Sequence, residues 1–147
     1  PGEQRDRQDD VDTEESAAPP KKAGLPRAPE GIDWSRRTLA STDPKQNAAR
    51  IRSFGLEPKT LSSTDQAGMK AETFYVSPPD GDCHWSLTII RIDHPETRRT
   101  AFDAYRKNPN MIFFEQGEAA MMVAGSSIKK GGYDRGCAER LAYVLTR

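Results

Sequence analysis

Two cysteines, Cys83 and Cys137, are the residues of this 147-residue chain with the clearest chemical meaning. Cys83 opens a run in which Cys83, Trp85, Leu87 and Ile89 fall on one side of an alternating strand. Cys137 belongs to a helical stripe with Ala138, Leu141 and Val144 or Leu145. Both faces are apolar, so both should meet the same core. A bond between them would close a long loop, worth about 4 kcal/mol in the chain-entropy model. Two buried free thiols are the alternative, since cysteine is also an ordinary core residue. A nucleophilic role fits less well. Cys83 and His84 are strand neighbours and point to opposite faces, so they cannot pair directly. Cys137 lies among apolar residues that would shield it.

Other groupings carry weaker chemistry. Asp82, His84 and Ser86 share the second strand face and suggest an Asp-His-Ser relay. Residues two apart on a strand are separated by about 6.5–7 Å, too far for direct relay hydrogen bonds. His84 and His94 are the only histidines and lack a recognised metal-ligand spacing. No metal or cofactor is therefore expected. Lys129-Lys130-Gly131-Gly132 precedes a helix and could present amides to an anion, but it lacks the Gly-Lys-Ser/Thr ending of a phosphate loop. Met111, Phe113, Met121 and Met122 could line an adaptable groove or simply fill a core. His84, Ser86, Lys129, Lys130, Met121 and Phe113 are the candidates for a ligand or partner surface, and no catalytic set is assigned.

These residues need elements to hold them. Asp43 and Pro44 suit a helix start, Ala48, Ile51 and Phe54 keep its spacing, and Gly55 can end it. Residues 56–69, with Pro58, Ser62-Ser63 and Gly68, read as loop. Residues 70–76 suit a strand, and Pro78-Pro79-Asp80-Gly81 is a turn signal. The strand from Cys83 follows, its second face polar at the start and apolar near the end. Asp93, Pro95 and Glu96 resemble a helix start, with Ala101, Phe102 and Tyr105 facing inward. Residues 111–115 and 118–124 flank Gln116-Gly117 as a hairpin. Residues 126–132 read as loop, and a last helix begins near Asp134. The expected fold is α+β, in the order α-β-β-α-β-β-α. It has a four-stranded, mostly antiparallel sheet packed with two or three helices.

The domain division follows from composition. Residues 1–30 contain no aromatic residue, and Val11 and Leu25 are their only large aliphatics. Such a segment cannot bury enough surface to offset the entropy of ordering it. Residues 1–31 are thus expected to be a disordered charged linker, and residues 32–147 a single domain first anchored by Ile32 and Trp34. The net charge is zero, with an acidic block over 1–15 and a basic one over 16–59. That balance gives no case for nucleic acid. No apolar run is long enough for a membrane span. The opening Pro1-Gly2-Glu3 is no signal peptide, but it is compatible with a trimmed leader or lipid anchor.

Cys83-His84-Trp85 after a Gly/Asp turn, with Gly136-Cys137-Ala138-Glu139-Arg140-Leu141 at a helix start, resembles small secreted lipoproteins of actinobacteria. The segment from Ala49 to Leu56 is similar to the helix that leads into such domains. The likeness spans about residues 45–147. It departs from a group whose members often carry further cysteines. It implies location and architecture rather than an activity. The paired cysteines in a small domain behind a polar tail fit an oxidising compartment. The expectation is a non-enzymatic extracytoplasmic binding or accessory domain, lipid-anchored or secreted, with a protein or cell-envelope partner. A membrane would be touched only through a removed anchor. The alternatives are a small-ligand carrier with a Met/Phe-lined cavity, or an enzyme with its site near Asp82–Ser86.

Overall fold

The computed structural model describes residues 24–78 and 81–147. The linker expectation for residues 1–23 lies outside the described residues. Residues 24–31 depart from it. Leu25 is buried in the main core, and the Gly24 amide donates to the Phe54 carbonyl at 3.1 Å. One aliphatic side chain can dock an extended strap without any periodic pattern, so among the described residues packing already includes Leu25, ahead of Ile32.

A short 3-10 turn, Trp34–Arg36, leads to α1, Pro44–Arg52. Asp43 caps α1 by accepting the Gln46 amide at 3.2 Å, with Pro44 in the first turn as expected. Three strands follow: β1 (Pro58–Gln66), β2 (Met69–Val76) and β3 (Cys83–Ile92). Then come α2 (Pro95–Arg106), β4 (Ile112–Gln116), β5 (Ala119–Ser127), β6 (Gly132–Tyr133) and α3 (Arg135–Leu145). The sheet has six strands in the order β1-β2-β3-β5-β4, with the two-residue β6 also pairing to β5. Every pairing among these strands is antiparallel.

The fold class is α+β as the sequence predicts, but the four-stranded sheet is corrected to six. The first added strand, β1, occupies the stretch read as loop. Its interior residues are almost all exposed on both faces, so no apolar alternation marks it. Among the described strands it pairs only with β2, across a turn in which Gly68 takes φ +82°. Polar, Ser- and Thr-containing sequence suits such an edge, where the interior residues of the strand stay largely in water. Leu61 is the unpaired residue between Thr60 and Ser62, where the register shifts. The second added strand, β6, lies in the stretch read as loop over 126–132 and just beyond it. Ser126 and Ser127 extend β5 there and pair with Tyr133 and Gly132. The cap of α2 also differs. His94, next to Pro95, accepts the Thr97 amide through Nδ1 at 3.3 Å, while Asp93 is bonded through its amide to the Gly68 carbonyl.

The sheet carries a core on each face. On the first face, Phe74, Val76, Cys83, Trp85, Leu87, Ile89, Phe114, Met121 and Val123 meet α1 and α3. On the second, Ile90, Ile92, Ala120 and Met122 meet Phe102 of α2, with Phe113 and Tyr105 alongside. The alternation of β3 accounts for this partition. Its second face turns apolar only at Ile90 and Ile92, and α2 covers only that end.

Cys83 and Cys137 form a disulfide with a Cα separation of 5.6 Å. Gly125 makes that approach possible. A Cβ there would lie 2.8 Å from the Cys137 carbonyl carbon and 2.9 Å from Ala138 Cα, with the Ala138 nitrogen nearer still. No side chain fits between β5 and the first turn of α3, so helix backbone rests directly on strand backbone. The Trp85 indole N–H, donating to the Cys137 carbonyl at 2.6 Å, fixes the same turn from β3.

Candidate functional site

The part of the second sheet face not covered by α2 is a side-by-side array set by register. Tyr75 of β2 pairs with Ser86 of β3, which pairs with Ala124 of β5. Next along, His84 pairs with Ser126, which pairs with Tyr133 of β6. These side chains are half-buried, and with Asn110 they line a shallow cleft of about 320 Å³. Tyr75 Oη and His84 Nδ1 are hydrogen-bonded at 2.5 Å, their rings edge to face at 5.8 Å. Behind them Thr73 and Thr88 join their hydroxyls at 3.0 Å. The Tyr133 hydroxyl is buried and has no hydrogen-bond partner among the described residues.

A second concavity, of about 460 Å³, lies at the disulfide. The strap residues Arg27 and Glu30, the loop residues Asp82, Lys130 and Asp134, and Glu139 and Arg140 of α3 line it. Its charges are mostly matched. Asp134 caps α3 by accepting the Cys137 amide at 2.9 Å and pairs with the Lys130 ammonium at 2.9 Å. The bond from Lys130, then the Cys137 amide, holds the Asp134 carboxyl below the usual range. The same contact raises Lys130 above its ordinary value. Asp82 accepts the Ser127 hydroxyl at 2.5 Å and the Lys129 amide at 2.7 Å. These two bonds, the hydroxyl first, lower its pKa. Glu139 accepts from the Trp34 indole and from Arg135, each at 3.1 Å. This is a cluster that ties the loop to the helix start.

The residues singled out in the sequence therefore separate into different places. Cys83 and Cys137 are bonded to each other. His84 and Ser86 line the open cleft together. Lys130 is engaged with Asp134, and Lys129 lies on the exposed loop, its amide bonded to Asp82. Met121 and Phe113 do not share a cavity. Met121 is fully buried on the first face, while Phe113 packs with α2 on the second. Asp82, His84 and Ser86 do not form a relay. Asp82 precedes β3 and turns to Ser127, and His84 uses Nδ1 for Tyr75. His84 and His94 lie towards opposite ends of β3, and no group of three or more His, Cys, Asp or Glu among the described residues is placed to hold a metal.

Tyr75, Asn110, Ser126 and Tyr133 belong to the cleft but carry no signal in the sequence alone. Tyr75 sits in an expected strand, and alternation places it opposite Phe74. The pairings of β2 with β3, of β3 with β5 and of β5 with β6 bring Tyr75, Ser126 and Tyr133 to the His84 end of the face. Comparison of the chain with protein-family models, curated proteins and solved structures gives no match in any of the three.

Proposed function

We propose that this protein is a non-enzymatic extracytoplasmic binding or accessory domain, lipid-anchored or secreted. It engages a protein or cell-envelope partner through the open end of its second sheet face. The disulfide carries the compartment part of this reading, because strand-to-helix disulfides persist where the surroundings are oxidising. The resemblance of the Cys83-His84-Trp85 and Gly136–Leu141 segments to secreted actinobacterial lipoproteins supports the same location. The binding part rests on the uncovered face at Tyr75, His84 and Ser86. Half-buried aromatic and hydroxyl groups on a rigid central sheet suit recognition.

Two measurements test the two parts. Protein isolated from its native host, alkylated without reductant and digested, should yield the linked Cys83 and Cys137 peptides. Alkylation of both thiols would remove the compartment argument. Hydrogen exchange of the full chain with the host's envelope fraction should slow at residues 73–76 and 84–86. Unchanged exchange there would overturn the binding surface.

A further inference from the structure

We propose that the cleft at the open end of the second face binds an uncharged saccharide segment, an inference that rests on the binding role proposed above. The charge of the lining carries the argument. Lys, Arg, Asp and Glu make up 30% of the chain, yet none among the described residues lines this cleft. The neighbouring concavity at the disulfide is lined by Arg27, Glu30, Asp82, Lys130, Glu139 and others. An ionised ligand entering the cleft would lose water without meeting a counter-charge. A wholly apolar ligand would leave the hydroxyls of Ser86 and Ser126 and the amide of Asn110 unpaired. A neutral, hydroxyl-rich ligand avoids both costs.

The geometry fits that chemistry. Phenol rings offer flat apolar faces with polar edges, which match the C–H faces and hydroxyl rims of sugar rings. Tyr75 engages Nδ1 of His84, leaving Nε2 as the nitrogen able to meet a ligand hydroxyl. About 320 Å³ is near the lower end of ligand-site volumes, room for a short saccharide segment. A protein partner fits less well. The cleft has tyrosines but, among the described residues, no arginine, and the exposed large hydrophobics Leu61 and Ile128 do not line it.

The test is an NMR titration of the full chain with triacetylchitotriose and with a mannotriose, each at millimolar concentration. A sulfated heparin trisaccharide is the charged control. Saturable shifts at Tyr75, His84, Ser86 and Ser126 with an uncharged probe, and none with the sulfated one, are expected. His84→Ala should weaken that binding by about tenfold. Ser86→Lys, a second variant on an accessible position, should do the same while the spectrum elsewhere stays folded. No saturable shift with either uncharged probe, or shifts confined to the Arg27–Arg140 concavity, would overturn the proposal. The envelope-fraction experiment separates the two failures. If exchange still slows at residues 73–76 and 84–86 while both saccharides fail, the saccharide assignment falls and the binding surface stands. If neither experiment responds, both fall.

Discussion

The two faces of the sheet are finished by different means. The first is closed along its length by α1 and α3, pinned by a disulfide and by backbone contact at Gly125. The second is closed by α2 at one end and left open by the described residues at the other, where Tyr75, His84 and Ser86 stay half-exposed. The same strand, β3, serves both. Its odd positions from Cys83 to Ile89 face the closed core, and its even positions near the start stay half-exposed. Substitutions a single residue apart should therefore differ in kind, with stability lost on one side and recognition on the other.

The largest effect should come from removing the disulfide. The Cys83→Ser, Cys137→Ser double variant should lose about 4 kcal/mol by the loop-entropy estimate, measured as a drop in urea midpoint. A loss under about 1 kcal/mol would mean that α1, α3 and Gly125 hold the face unaided. Next is Gly125→Ala. Its Cβ would meet backbone atoms of Cys137 and Ala138, which cannot rotate away, so a loss of about 3 kcal/mol is expected, the upper end of ordinary overpacking. The contrasting change, Ser126→Ala, lies one residue on and faces the open side. It should stay within about 0.5 kcal/mol of the parent. Equal losses for Gly125→Ala and Ser126→Ala would erase the distinction between the faces.

The same contrast explains what could be read in advance. The cysteine pairing was legible because two independent periodicities, of β3 and α3, each placed a cysteine on an apolar face. The open end was half legible, since His84 and Ser86 follow from alternation. Their neighbours Tyr75, Ser126 and Tyr133 depend on strand register, which no local pattern encodes. β1 escaped because an edge strand solvated on both faces has no hydrophobic period. Asp82 was grouped with His84 by alternation that does not reach it, because β3 begins at Cys83.

Smaller effects should appear where the loop meets α3. Asp134→Ala removes the cap that accepts the Cys137 amide and should cost about 1 kcal/mol, read in the thermal midpoint. The lowered carboxyls of Asp82 and Asp134 give the same region a pH signature. A carboxyl whose folded pKa lies below its unfolded value stabilises the fold above the ordinary carboxylate range, and loses that contribution as pH falls through the folded value. Acidification below about pH 4 should therefore lower the protection factors of the Lys129 and Cys137 amides, exchange being referred to its intrinsic rate at each pH, before it affects β5. Lys130 gives the opposite limb. Its raised pKa contributes below the ordinary lysine range, and that contribution fades as strongly alkaline pH passes the folded value. Uniform exchange across loop and strand on acidification would show that these carboxylates do not hold the loop.

The smallest expected change in stability is at the open end itself. Tyr75→Phe removes the hydroxyl bonded to His84 Nδ1 but keeps the ring and its edge contact. Both side chains are half-exposed, so water can replace the lost bond, and the stability change should be under about 0.5 kcal/mol. The imidazole should nevertheless reorient, because its one fixed nitrogen partner is gone. Nitrogen chemical shifts of His84 would then move towards those of a solvated histidine while the unfolding midpoint stays in place. A large fall in midpoint would make the Tyr75–His84 pair part of the structural core, and the open end would then be no freer than the closed face. Unchanged His84 shifts would mean that packing alone orients the ring. The pair matters to recognition only if the ring moves and the fold does not.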